Sequence, residues 1–240
     1  MDLRTIFGEV VDWIFPPRCV SCSEPGALLC EECRSKLPPV GDHYCSICGK
    51  PLKKRHCSLC RASDFRFLSS RAPYLYAGPA AAMIKKLKYN GCLSLVPLLA
   101  DLLFDFWTEL GWEADMIIPV PLSKQREAQR GFNQSEMIGR AFSRKTGIPI
   151  RKNALMKVRH TITQVGLSKD QRRENLRGAF AAEPAFVRGK RVLLLDDVMT
   201  TGSTFAECTS VLLDAGAKSV RCLSVATTTA DHGIQNMPDT

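Results

Sequence analysis

The sequence predicts an α/β fold whose main domain is a mostly parallel sheet flanked by helices, preceded by a small cysteine-rich module. Four Cys-x-x-Cys pairs lie within the first 60 residues. After them, short apolar runs typical of buried strands are separated by helical patterns. The stretch 191–204, RVLLLDDVMTTGST, predicts a strand, an acidic pair, a hydroxyl-rich loop and the start of a helix. Strands separated by helices are typical of parallel sheets.

The 240 residues are sufficient for one large core and a small module, and the net charge is +9. Residues 1–18 are expected to form an amphipathic helix, in which Asp2, Glu9 and Asp12 interrupt any signal-peptide core. No apolar run is long and uncharged enough to predict a membrane span. We therefore expect a cytoplasmic protein.

Eight cysteines form pairs with regular spacing, which in a reducing compartment indicates structural zinc. They are Cys19, Cys22, Cys30, Cys33, Cys45, Cys48, Cys57 and Cys60. The spacing favours two sequential quartets, one per zinc ion, within a double zinc ribbon at 19–63. A cross-braced arrangement, in which alternate pairs share a metal, and a disulfide framework are the alternatives.

The main domain is predicted at 72–227, and residues 228–240 are expected to form a flexible tail. Gly91 and Gly147 are expected to end helices, and Ser135 or Asn133 to begin one. The predicted helices cover residues from Pro79 to Gly91, Leu95 to Leu110, Glu136 to Lys145 and Phe205 to Ala215. The predicted strands cover Met116 to Ile118, Ala154 to Val158, Val192 to Leu195 and Val220 to Ala226.

The acidic pair and the loop after it suggest a site for a ribose 5-phosphate. Asp196 and Asp197 follow the predicted strand, and adjacent carboxylates are good acceptors for the two hydroxyls of a ribose. Small and hydroxyl-bearing residues at a helix N-terminus suit a phosphate, and Ser203 or Thr204 could cap the helix. The loop consists of Thr200, Thr201, Gly202, Ser203 and Thr204.

Residues 122–180 contain 14 Lys and Arg against four Asp and Glu, a net charge of +10. This excess predicts a polyanion ligand, which is pyrophosphate, nucleic acid or both, although such runs also occur simply as solvated surface. The long polar stretch 159–180 is expected to be a functional or a disordered loop. The candidate polyanion contacts are Val120, Pro121, Leu122, Arg126, Arg130, Arg159, Arg172 and Arg173.

The 191–204 stretch closely resembles the PRPP-binding motif of type I phosphoribosyltransferases. The resemblance implies that Asp196 and Asp197 bind the ribose hydroxyls and that 200–204 bind the 5′-phosphate, with Mg²⁺ accompanying PRPP. It also implies a pyrophosphate loop at Pro119-Val120-Pro121-Leu122 and a mobile catalytic loop within 159–180.

Four features in one order, the double CxxC–CxxC module, PVPL with RGFNQ, TxxQ with RRxN, and DDVMTTGST, resemble the ComF family of competence proteins. The resemblance implies handling of single-stranded DNA in natural transformation or use of DNA as nutrient, beside a helicase-like partner. It does not fix a reaction, and catalytic residues stay unassigned. The alternatives are an active phosphoribosyltransferase of nucleotide or amine metabolism and a zinc-ribbon nucleic-acid-binding protein without activity.

Overall fold

We analysed a computed structural model, which describes residues 16–52, 57–61, 63, 65–159, 176 and 178–229. The predicted N-terminal helix, the tail from 230 and most of the 159–180 loop lie outside these residues. Arg172 and Arg173 are therefore outside the described part of the chain. Among the described residues, we find no helix with the length and apolar character needed to cross a membrane.

The elements begin in the cysteine-rich module and continue to the end of the sheet. The helices are α1 Glu31–Ser35, α2 Ser58–Arg61, α3 Gly78–Asn90, α4 Leu95–Leu110, α5 Lys124–Arg130, α6 Gln134–Thr146, α7 Pro184–Val187 and α8 Ser203–Asp214. The strands are β1 Ser69–Arg71, β2 Tyr74–Leu75, β3 Met116–Pro119, β4 Leu155–Lys157, β5 Phe180–Ala182, β6 Arg191–Met199 and β7 Ser219–Thr227. A 3₁₀ turn at Lys152–Ala154 precedes β4.

The central sheet has the order β1-β7-β6-β3, and β2 adds to β7 beyond β1. Every pairing in this sheet is parallel. Strands β3 and β6 are apolar on both faces because helices cover the sheet on both sides. The predicted fold class, a mostly parallel sheet flanked by helices after a cysteine-rich module, is confirmed. The sheet begins at Ser69, upstream of the predicted domain start at residue 72.

Strand β6 is longer than the sequence indicated, because it includes the acidic pair. We predicted a strand from Val192 to Leu195, and it extends to Met199. The ladder with β7 continues to the pair Met199 and Thr227. The ladder with β3 stops at Pro119 and Leu195. The carboxylates therefore emerge where β6 has lost its neighbour on one side and keeps it on the other.

The predicted strand at Ala154 to Val158 is present as β4, but it does not join the central sheet. It pairs antiparallel with β5 in a separate two-stranded sheet. This small sheet packs on α8 rather than on the parallel strands. It brings the two ends of the 159–180 loop together at the edge of the domain.

The two faces of the sheet bury different parts of the chain. Because successive strand residues point to opposite sides, Leu193 and Leu195 belong to one core and Val192 and Leu194 to the other. One core contains residues of α3, α4 and α6, and we call this side the α4 face. The other contains residues of β4, β5 and α8, and we call it the α8 face.

Candidate functional site

A cleft opens at the carboxyl ends of β3 and β6, beside the start of α8. It brings together residues that the sequence had placed in three separate motifs. The predicted site residues that line it are Val120, Pro121, Leu122, Arg126, Arg130, Asp196, Asp197, Thr200 and Thr204. Ligands of open α/β sheets bind in crevices at this position, where strand order reverses.

Asp197 is the buried member of the acidic pair and forms an ion pair with Lys88 of α3. The Nζ–Oδ1 distance is 3.0 Å, and the side chains of Lys88 and Asp197 are only 8% and 4% exposed. The other carboxylate oxygen, Oδ2, is buried without a hydrogen-bond partner among the described residues. A buried acceptor without a donor is costly, so a ligand hydroxyl at this atom would satisfy it.

Asp196 is held by a hydroxyl and a backbone amide. Ser135 Oγ donates to Asp196 Oδ1 at 2.7 Å, and the backbone N–H of Asp197 donates to the same oxygen at 2.9 Å. Burial and the neighbouring charge of Asp197 raise the pKa of Asp196 to about 7, against the lowering effects of Ser135 and Lys88. Asp196 therefore changes charge near neutral pH, whereas an ordinary aspartate does so near pH 4.

The start of α6 positions both Ser135 and the loop after β3. Asn133, rather than Ser135, caps this helix, because its Oδ1 accepts from the N–H groups of Ser135 and Glu136. The Asn133 side-chain amide also donates to the Val120 carbonyl at 3.0 Å. One buried asparagine thus fixes the predicted pyrophosphate loop relative to the donor for Asp196.

The predicted phosphate loop ends in a glycine that begins α8. Gly202, at a φ of +78°, is the N-cap, and Ser203 and Thr204 are the first helical residues. The prediction that Ser203 or Thr204 caps α8 is therefore wrong. A side chain at Gly202 would meet Met199 Cε at 2.9 Å and Phe65 Cζ at 3.1 Å. The first amides of α8 have no helical partners and carry partial positive charge, which suits an anion.

Three further cations line the cleft together with residues of the phosphate loop: Arg126, Arg130 and Lys157. Arg130 lies over the Tyr89 ring at 5.6 Å, and its Nη1 donates to Gln134 Oε1 at 3.0 Å. Burial and the proximity of Arg130 lower the pKa of Arg126. Burial and Arg126 likewise lower the pKa of Lys157. Like charges held this close favour a bound polyanion.

Arg159 is the one remaining predicted polyanion residue in the described part of the chain, and it lies apart from this cluster. Arg159 is exposed, and its backbone N–H meets the Ala179 carbonyl at 3.4 Å. It does not line the cleft. Arg172 and Arg173 lie outside the described residues, so their contacts stay predictions.

Sequence reasoning missed three residues of the site: Lys88, Ser135 as a donor, and Lys157. Lys88 had a detectable signal, because it follows Ile84 by four positions and so lies on the buried side of α3. The Ser135 contact spans 61 residues and has no local signature. Lys157 comes from β4, a strand that the sequence predicted, but the sequence did not indicate that this strand pairs with β5 outside the central sheet.

The eight cysteines converge in the two sequential quartets rather than in the cross-braced arrangement. Within each quartet, all four sulfur atoms lie within 4.8 Å of one another. Sulfur–sulfur distances of 3.6 Å for Cys22–Cys30 and 3.5 Å for Cys45–Cys60 approach the ~3.8 Å edge of a tetrahedral zinc–thiolate site. None of the eleven cysteines forms a disulfide.

Family models match both parts of the chain. Residues 10–63 match a double zinc ribbon domain, and residues 146–239 match a phosphoribosyl transferase domain. With the parallel sheet and the two cysteine clusters, these matches define a phosphoribosyltransferase-like protein with two zinc-binding sites.

Curated relatives narrow this class to one family. The chain is 31% identical to competence protein F of Haemophilus influenzae over 224 residues, covering 87% of this chain and 96% of the relative. It is 35% identical to the DNA utilization protein YhgH of Escherichia coli O157:H7 over 220 residues, covering 86% and 95%. Competence protein ComFC of Bacillus subtilis is 26% identical, covering 88% and 86%. The chain belongs to the ComF family.

Solved structures include a more distant likeness. Glutamine PRPP amidotransferase from B. subtilis, complexed with ADP and GMP, is 26% identical with a TM-score of 0.39. The match covers 55% of this chain and 26% of that enzyme.

Proposed function

We propose that the cleft binds PRPP with Mg²⁺. The observation that carries the proposal is the convergence of a carboxylate pair, a helix N-terminus with small hydroxyl residues, and a cluster of cations in one crevice. PRPP carries ribose hydroxyls, a 5′-phosphate and a pyrophosphate in one molecule, and each of these groups suits one of the three features. Asp197 Oδ2 supplies a buried acceptor suited to a ribose hydroxyl.

Each end of the ligand has its own group of residues in this proposal. Asp196 and Asp197 accept from the ribose hydroxyls, and residues 200–204 bind the 5′-phosphate. Arg126, Arg130 and Lys157 face the pyrophosphate, where fixed positive charge also stabilises charge that develops if the pyrophosphate leaves. Mg²⁺ joins through ligand oxygens and water, because it gives up its hydration shell reluctantly.

Calorimetry with PRPP and Mg²⁺ tests this assignment. We expect Asp197→Asn and Asp196→Asn each to weaken binding about ten- to hundredfold, the effect of losing a hydrogen bond to a charged group. Asp214→Asn is the matched control, because this carboxylate is exposed and forms a surface ion pair with Arg66. Unchanged affinity in both cleft variants, or no binding to the parent, would favour a zinc-ribbon protein that keeps only the fold.

We further propose that the protein handles single-stranded DNA. Two relatives carry names that refer to competence and DNA utilization, and the basic segment 122–180 carries a net charge of +10. Phe142 is buried and Phe132 is half-buried, so few rings in this segment are available to stack on bases. We therefore expect electrostatic binding with weak base preference.

Fluorescence anisotropy with a labelled oligonucleotide, repeated at several salt concentrations, tests this second proposal. Affinity should fall steeply with salt, with a slope of about 0.7 for each phosphate contacted. Arg172→Ala/Arg173→Ala should reduce the slope and the affinity, whereas Lys36→Ala on the first ribbon should not. Affinity that ignores salt, or a double variant that binds normally, would exclude this segment as the DNA site.

Competition separates the DNA surface from the PRPP cleft. If Arg126 and Arg130 serve pyrophosphate alone, Arg126→Ala/Arg130→Ala weakens PRPP binding and leaves DNA binding intact. If they serve both ligands, PRPP displaces the oligonucleotide and the variant loses both. The first result would restrict DNA contacts to basic residues outside the cleft.

A further inference from the structure

A buried lysine connects the second cysteine quartet to the strand that supports the phosphate loop. Lys50, two residues after Cys48, is only 2% exposed. Its ammonium donates to the carbonyl oxygen of Thr228 at 2.5 Å and to Thr228 Oγ1 at 2.9 Å. These contacts join positions 178 residues apart in the sequence. A zinc ion with four thiolates carries a net charge of −2, which compensates the buried ammonium nearby.

Thr228 in turn holds the backbone where the phosphate loop begins. Its N–H donates to the Met199 carbonyl at 3.1 Å, and its hydroxyl approaches the Thr200 carbonyl at 3.4 Å. The neighbouring Thr227 hydroxyl also donates to the Met199 carbonyl at 3.1 Å. The end of β7 therefore fixes the last residue of β6 and the first residue of the loop.

A second set of contacts connects the same quartet to the loop through β1. The backbone N–H of Ser70 donates to the Ile47 carbonyl at 2.7 Å, and Ser70 Oγ donates to Met199 Sδ at 3.0 Å. Gly49 lies so close to β1 that a Cβ would be 2.2 Å from the Ser70 carbonyl oxygen. The Cys45–Lys50 turn thus lies directly against the strand that contacts Met199.

We propose that Lys50 is a positioning residue, through which the second zinc site fixes the conformation of the 200–204 loop. The turn contains two cysteines of the quartet, Cys45 and Cys48. Within it, the Cys45 N–H donates to the Lys50 carbonyl at 2.9 Å and the Gly49 N–H donates to the Cys45 carbonyl at 2.9 Å. Lys50 and Ser70 then transmit that geometry to Met199 and Thr200. The functional consequence rests on the proposal that this loop binds a 5′-phosphate.

Amide hydrogen exchange on the full-length, zinc-loaded protein without ligand tests the positioning itself. Lys50→Met keeps the length of the side chain and removes its ammonium. We expect exchange at residues 199–204 to become about tenfold faster, as losing a hydrogen bond from a charged group predicts. Lys36→Met is the control, because Lys36 lies on the first ribbon and forms an exposed ion pair with Glu32. Zinc content should stay at two per chain in both variants.

Thr228→Val provides a second test if Lys50→Met does not fold or loses zinc. It keeps the shape of the side chain and removes the hydroxyl that accepts from Lys50 and approaches Thr200. Exchange at 199–204 should again accelerate, by less than in Lys50→Met because the Thr228 carbonyl still accepts. Exchange that stays at the parent rate in the folded, zinc-loaded variant would overturn the proposal.

Binding of two ligand fragments distinguishes this inference from the proposed function. Lys50→Met should weaken ribose 5-phosphate about tenfold and leave inorganic pyrophosphate unchanged, because we propose that pyrophosphate binds at Arg126, Arg130 and Lys157 rather than at the 200–204 loop. Faster exchange in Lys50→Met, with a parent protein that binds neither fragment, would support the positioning role and overturn PRPP binding. A parent that binds ribose 5-phosphate, with normal exchange and affinity in Lys50→Met, would overturn the positioning role alone.

Discussion

The two ends of the cleft are held from opposite faces of one sheet. Asp197 is fixed from the α4 face, where Lys88 of α3 pairs with it, and Ser135 of α6 donates to Asp196. The 200–204 loop, the proposed phosphate site, is fixed from the α8 face, where Phe65 and Met199 pack against Gly202. Each zinc site belongs to one face of the sheet. Cys19 and Cys33 lie in the core of the α4 face, and Cys45 and Cys48 lie in the core of the α8 face.

The two zinc sites have the same kind of ligands but lie on different faces of the sheet, so their loss should affect different ends of the cleft. A change on the α8 face should reach the phosphate end of the ligand, whereas one on the α4 face should reach the ribose end. The quartets also differ in exposure, since Cys22 of the first quartet is exposed and no cysteine of the second quartet is. The comparison would fail if ligand binding responded equally to matched changes on the two faces.

Loss of one zinc site should give the largest and most unequal effect. We expect Cys48→Ser/Cys57→Ser and Cys22→Ser/Cys30→Ser each to bind about one zinc, and the metal contributes on the order of 10 kcal/mol to folding its module. Only the first variant should lose ribose 5-phosphate binding, by more than about hundredfold. Elemental analysis and calorimetry provide the measurements. Equal losses of affinity would show that the first ribbon also supports the loop.

Removing the ion-pair partner of Asp197 should be the next largest effect. Lys88→Met leaves a buried carboxylate without its counter-charge, which costs about 3–5 kcal/mol of unfolding free energy. Lys86→Met, on the exposed side of the same helix, should change stability little. Denaturant unfolding measures both.

The double variant Lys88→Met/Asp197→Asn tests the cause of that loss. Replacing the charged carboxylate by a neutral amide should restore much of the stability, because no uncompensated charge then stays buried. A double variant that is less stable than Lys88→Met would show that the lysine stabilises the protein through packing instead.

The motifs could be predicted because each of them consists of residues that are close together in the sequence. The Asp196–Asp197 pair, the 200–204 loop and the CxxC pairs have their chemistry encoded within a few residues. The sequence could not show that the β6 strand continues through the acidic pair, because this depends on how far β7 pairs with it. Nor could it reveal Lys50, whose partner is 178 residues away. Contacts of this kind depend on the order of strands in the sheet, which local patterns do not specify.

Substitution of one buried phenylalanine on each face compares the two faces at an equal expected loss of unfolding free energy. Phe142 on the α4 face is 0% exposed and Phe205 on the α8 face is 2% exposed. Phe142→Ala and Phe205→Ala should each cost about 3–5 kcal/mol of unfolding free energy, from lost transfer energy and a cavity. Only Phe205→Ala should also weaken ribose 5-phosphate, because Phe205 directly follows the phosphate loop. Similar losses of affinity in the two folded variants would contradict the assignment of one end to each face.

The smallest effect concerns the hydroxyl that Ser135 donates to Asp196. Because the folded pKa is about 7, against an ordinary value of 3.8, the folded state holds an extra proton between these values. This group's contribution to stability therefore falls as pH rises from about 4 to 7. Removing the hydroxyl in Ser135→Ala disfavours the charged carboxylate, so its pKa should rise by about one unit.

The affinity for PRPP should depend on the same titration of Asp196, but it should rise with pH where the stability falls. The ionised carboxylate is the better acceptor for a ribose hydroxyl, so binding should strengthen as pH rises through about 7 in the parent. In Ser135→Ala the midpoint should move up by about one pH unit. Asp196→Asn should lose this dependence and keep only the part due to ionisation of the ligand phosphates. Calorimetry compares the three proteins between pH 5.5 and 9, a range of ~3.5 units that includes the titration of Asp196. A midpoint shared by the parent and Ser135→Ala would show that the hydroxyl does not tune the carboxylate.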